Sequence, residues 1–184
     1  MSGRRTQTLD ENAHLATFEA NLRHAVERLS TENIVGLIEP INPVSTPGYF
    51  LNNYPTDRVH YEHFVSDRST SRGMIAEETN GNTVSLIEKI NSPYLKLQLD
   101  VFHMQMICGN LTNSMQKVMP LTGHIQVAQA PHRHEPSCPG ELNYEYVFKK
   151  LREAGYSDYI GAEYSPSGKS EMSLTWIQQY SLQF

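Results

Sequence analysis

The sequence predicts an α/β domain of about four parallel strands, each preceded by a helix. Two observations carry this. Amphipathic stretches with apolar residues at three- and four-residue steps alternate with short apolar runs, and the alternation repeats four times along the chain. Each apolar run also ends in a polar side chain, as strands do where open sheets and barrels place their chemistry. Length sets the scale: 184 residues suffice for one domain with a sizeable core. They fall short of the roughly 250 residues that a closed eight-stranded α/β barrel requires.

The elements follow in order. Residues 10–30 place Leu15, Phe18, Leu22, Ala25, Val26 and Leu29 on one helical face, with Glu19, Arg23, Glu27 and Arg28 outside. The run NIVGLIEPIN then reads as a strand over 34–39, stopped by Pro40 and apolar enough to be covered on both faces. A short helix over 84–91 leads to a strand over 95–100. A helix over about 111–119 leads to a strand over 123–128. A fourth helix, 143–154, stops at Gly155 before a strand over 159–163. The final EMSLTWIQQYSLQF, with Leu174, Trp176, Ile177 and Tyr180, reads as a closing helix. The chain is taken as a single domain, 1–184. Residues 54–81 break the rhythm with clustered turn formers and read as a flexible insertion with a short helix near 74–79.

Composition excludes several function classes. Fifteen Lys and Arg against twenty Asp and Glu give a net charge of −5, without the basic footprint of a general nucleic-acid binder. No run approaches the 18 or so apolar residues of a membrane span, and the opening MSGRRTQTLDENAH lacks an apolar signal core. Cytoplasmic localisation is the expectation, with Cys108 and Cys138 reduced. The sequon at Asn110 then carries no meaning. No glycine-rich dinucleotide loop is present, so no organic cofactor is expected.

Strand ends carry the candidate chemistry. Glu39 ends the first strand, Asp100 the second and Glu163 the fourth, while the third offers His124, Gln126 and Gln129. Period-two alternation puts Val35, Leu37 and Glu39 on one face, and likewise His124 with Gln126 and Gly161 with Glu163. Two glutamates, an aspartate and an amide oxygen make an all-oxygen set suited to Mg or Mn. Any one acidic residue at a strand end has an ordinary alternative, capping the next helix or facing solvent. Four in succession point instead to a cluster that asks for a cation or a proton. His103 lies one turn past Asp100. Arg133, in the proline-stiffened segment QAPHRHEPSCPGELNY, is a natural clamp for a carboxylate or phosphate. His132 and His134 read as polar loop residues, and Cys138 has no base beside it in sequence.

At these residues the chain resembles the hydroxypyruvate isomerase family, within the xylose-isomerase-like TIM barrel group. The resemblance runs through FEANLRHAVERL, VGLIEPIN, QLDVFHMQ, GNLT, GHIQVAQAPHRHEPSCPGELNY, YIGAEYSP and LTWIQQY, covering most of 12–53 and nearly all of 84–180. It implies a partial (β/α)8 barrel comprising strands five to eight. It implies Glu39 and Glu163 as the proton-transferring pair, and Glu39, Asp100, Gln126 and Glu163 as the metal positions. His103 and Arg133 would contact a small 2-keto or hydroxy acid. Related epimerases carry histidine at the position of Gln126, which favours the hydroxypyruvate branch. The implied reaction interconverts hydroxypyruvate and 2-hydroxy-3-oxopropanoate; a related epimerase or a non-catalytic fragment are the alternatives. The opening MSGRRTQTL does not resemble the family's first half, and residues 54–81 match no family segment. A half barrel leaves two edges unpaired, so homo-oligomers through those edges and little or no isomerase activity of the isolated chain are expected.

Overall fold

The computed structural model describes residues 2–6, 8, 10–54 and 83–180. Helix α1 spans Glu11–Thr31, capped by Asp10, whose carboxylate accepts from the Ala13 N–H at 2.7 Å. Strand β1 (Gly36–Ile38) follows, then α2 (Thr83–Ile90), β2 (Leu95–Asp100), α3 (Val101–Ile107) and α4 (Leu111–Val118). A 3-10 turn over Met119–Leu121 leads into β3 (Thr122–Val127), α5 (Tyr144–Glu153) and β4 (Ile160–Ala162). Two short helices, α6 (Ser170–Ser173) and α7 (Trp176–Gln179), come last.

The four strands form one sheet in the order β1-β2-β3-β4, every pair parallel. This is the expected partial barrel sheet. Alternation along β2 sets its two faces: Leu95, Leu97 and Leu99 are buried in the main core, while Lys96 and Gln98 are only half-buried. The core continues through Ile125 and Val127 of β3 into α5, where Val147, Phe148 and Leu151 pack, and on to Trp176 of α7. The polar residues of the strands therefore gather on the face away from this core.

Three expectations need correction. Strand β1 is not covered on both faces: Ile34, Val35 and Leu37 are exposed, because Gly36–Ile38 pairs only with β2 among the described residues. The apolar run marked a strand at a sheet edge. The closing helix is two four-residue pieces, broken at Leu174 and Thr175. Helix α3 was missed, since VFHMQMI is seven residues long with its polar residues, His103 and Gln105, two apart, which shows no helical period. Its signal was Asp100, the N-cap, whose Oδ1 accepts from the Phe102 and His103 N–H groups at 2.8 and 3.4 Å.

The insertion expected over 54–81 lies outside the described residues apart from Tyr54, which is buried in the core. Among the described residues, no helix is long and apolar enough to cross a membrane.

Candidate functional site

Asp100 is fully buried and works twice: Oδ1 caps α3, leaving Oδ2 to face the carboxyl ends of the strands. The ordinary reading of a strand-end acid is thus half correct. Capping also aims α3 so that His103, buried, brings its Nε2 to 3.7 Å from Asp100 Oδ2 and 3.9 Å from Glu39 Oε1. Ligand atoms of Glu39, Asp100 and His103 all lie within 4.8 Å of one another.

Arg133 enters from the loop after β3. One Nη2 donates to Asp100 Oδ2 at 3.2 Å and to Glu163 Oε2, so a single guanidinium spans from β4 to β2. Its Nε donates to the Glu163 carbonyl at 3.3 Å, and its charged plane lies 4.9 Å from the centre of the Phe102 ring. The loop that carries it is well fixed. The Gln129 side chain accepts from the Ala130 and Leu142 N–H groups and donates to the Cys138 and Leu142 carbonyls, each within 3.1 Å. Glu135 accepts from the Ser167 N–H and hydroxyl, tying this loop to the one after β4.

Among the described residues, the Gln126 side chain hydrogen-bonds with Gln98. It reaches Glu39 through Gln98, whose Nε2 donates to Gln126 Oε1 at 2.5 Å and to Glu39 Oε2 at 2.9 Å. Sequence reading passed over Gln98, although its place two residues before Asp100 on the same strand face was a usable signal. It also passed over Asn42, buried beside His103. His132 and His134 stay in the loop as expected, where His134 Nδ1 pairs with the Ser165 carbonyl. Beside Glu39, Gln98 and Glu163 opens a groove of about 580 Å³, lined further by Leu22, Leu37 and Leu51.

Glu39, Asp100 and Glu163 face one guanidinium here, and burial raises the cost of charging the first two. Glu39 is pushed up to about 7, first by burial and then by the neighbouring Asp100 and Glu163 charges. Burial pushes Asp100 to about 7 as well, against the pull of Arg133. His103 is driven down to about 3 by burial and by Arg133, and is neutral at physiological pH.

These shifts predict a pH effect on stability. A carboxyl whose pKa rises on folding binds more protons folded than unfolded between about 4.5 and 7, so its contribution falls as pH rises through that window. Glu39→Gln removes this loss. In chelator, the variant's thermal midpoint should climb relative to the unmodified chain from pH 4.5 to pH 8. Parallel midpoints across that range would contradict the raised Glu39 pKa.

The residues fit a divalent cation in part. Glu39 Oε1 is buried with no hydrogen-bond partner among the described residues, and lies near Asp100 and His103. Mg–O distances are about 2.1 Å, so ligand atoms on opposite sides of an ion lie about 4.2 Å apart. The 4.8 Å cluster is close to that span.

A model of the xylose isomerase-like TIM barrel family matches residues 1–180. The chain belongs to that family. Escherichia coli hydroxypyruvate isomerase is 35% identical over 165 residues, covering 90% of this chain and 54% of the relative. A 2-oxo-tetronate isomerase from Haemophilus influenzae is 32% identical over 164 residues, 89% of this chain and 53% of the relative. Among solved structures, a protein from Brucella melitensis described as AP endonuclease, family 2 superposes with a TM-score of 0.73 at 35% identity. That match covers 95% of this chain and 57% of the other. Members of the family thus match nearly all of this chain, which spans about half their length.

Proposed function

We propose that the chain carries the proton-transferring half of a hydroxypyruvate isomerase site. The observation behind this reading is the placement of two glutamates on the two edge strands, Glu39 after β1 and Glu163 after β4. The cluster of Asp100, His103 and Arg133 lies between them. A three-carbon keto acid across the ends of β2 and β3 then has a carboxylate at either side. Isomerisation moves a proton from C3 to C2 through an enediolate while the O3 hydroxyl proton passes to O2, and such a pair can remove the carbon proton and return it. Arg133 is the group for the substrate carboxylate, since its fork matches two oxygens. Glu39, Asp100, Gln126 and Glu163 would hold Mg or Mn, which polarises the substrate oxygens when bound.

The relatives' names support this reading and a neighbouring one, since one acts on a 2-oxo-tetronate. The edges of β1 and β4, unpaired among the described residues, are where a second copy would complete eight strands. The test follows hydroxypyruvate and a four-carbon 2-oxo acid by NMR with Mg or Mn, on chain of measured oligomeric state. Selective conversion of hydroxypyruvate is expected, faster in a dimer than in a monomer. Preference for the four-carbon acid would move the assignment to the neighbouring reading. Conversion of neither would favour a non-catalytic fragment.

A further inference from the structure

Asn42 lies three residues past Glu39 and is fully buried. Its Oδ1 accepts from the Ser45 N–H at 2.8 Å, and its Nδ2 donates to Ser45 Oγ at 3.0 Å. These contacts fix the amide's orientation, because the flipped form would set its NH2 group against the Ser45 N–H. The atom 2.7 Å from His103 Nδ1 is therefore Nδ2, a donor, and the Asn42 backbone N–H is aimed at the same ring nitrogen from 3.2 Å. Two donors on one nitrogen require a lone pair there. A neutral imidazole so held carries its proton on Nε2.

We propose that Asn42 is a positioning residue that locks His103 in the Nε2–H tautomer, making it a hydrogen-bond donor to a substrate oxygen instead of a cation ligand. The lock deepens the isomerase reading and, for the substrate contact, rests on it. The opposite tautomer fails on two counts: its Nδ1–H would oppose the Asn42 N–H, and the flipped amide would oppose the Ser45 N–H. The Nε2–H form meets one opposing donor, Arg133 Nη1 at 3.1 Å. That donor sits at the end of a long, partly exposed side chain and can swing away when the guanidinium takes up a carboxylate. The 3.7 and 3.9 Å from Nε2 to Asp100 and Glu39 are too long for hydrogen bonds and leave the proton free for another oxygen. Of the three residues whose ligand atoms cluster, only the two carboxylates then remain as cation ligands.

The test is a long-range proton–nitrogen correlation spectrum of the full chain labelled with ¹⁵N. His103 is assigned as the signal lost in His103→Gln. The expected spectrum has a pyridine-type Nδ1 and a pyrrole-type Nε2, unchanged by saturating Mg, with the Nε2 proton shifting when hydroxypyruvate is added. Asn42→Asp replaces one of the two donors at Nδ1 by an acceptor and should raise the Nδ1-protonated population at the expense of the Nε2–H form. A protonated Nδ1 in the unmodified chain, or loss of the Nε2 proton with Mg, would overturn the lock even if Asn42→Asp fails to fold. An unmoved Nε2 proton with hydroxypyruvate would overturn the donor role alone. Absence of turnover with the tautomer as expected would count against the isomerase reading and leave the lock standing.

Discussion

Phe148→Ala should destabilise the chain by about 3–5 kcal/mol, the usual range for truncating a buried phenylalanine. Phe148 is 2% exposed and sits where α5 meets the C-terminal helices. Its ring lies 6.1 Å from Trp176, nearly parallel to it, and 5.4 Å from both Tyr144 and Tyr180. Tyr144 in turn grips the end of β3, donating to the Ala128 carbonyl at 2.6 Å and accepting from its N–H. One truncation thus opens a cavity, uncouples α7 and loosens the strand end that presents Gln126. Against a total of about 5–15 kcal/mol, the loss is a large fraction. Urea midpoints check it, with Lys149→Ala on the exposed face of the same helix as control. That substitution breaks only a 3.8 Å surface ion pair with Glu153 and should cost at most about 1 kcal/mol. Similar losses in the two variants would mean that this aromatic cluster is not part of the core.

Glu163→Gln should lower proton transfer at hydroxypyruvate C3 by at least about 100-fold, the low end of what a positioned acid–base group contributes. The substitution keeps the side chain's size and removes the basic oxygen. It also releases Arg133 from one of its two carboxylate partners, Asp100 being the other. Binding of the substrate carboxylate should therefore change little or strengthen while the chemical step collapses. The expected signature is a fall in rate without a rise in KM. Glu39→Gln should fall comparably, because reversible isomerisation uses both groups.

Much of this arrangement is legible in the residues themselves. The helix–strand alternation locates all four strands because apolar spacing reports which face each element buries. The strand-end acids stand out because a charge beside a buried run is costly unless it has a purpose. Burial of β1 was misread because an apolar run looks the same at a sheet edge as in its middle. Helix α3 is short and spaces its polar residues, His103 and Gln105, two apart, so no helical period shows. The contact between Asn42 and His103 joins residues 61 apart through a turn whose shape no local pattern encodes. Gln98 was the recoverable omission, since alternation with Asp100 placed it on the right face.

On the proposed reading, Glu39 and Glu163 act on one substrate at a site that would hold a divalent cation. Deuterium exchange at C3 of hydroxypyruvate in D2O tests it most directly, because enolisation needs less of the surrounding wall than full turnover. The account predicts exchange above the buffer background that requires Mg or Mn and is lost in Glu163→Gln. Net isomerisation by the isolated chain stays well below the median enzyme rate of about 10 per second. Exchange that ignores the cation, or that survives in both Glu39→Gln and Glu163→Gln, would contradict it.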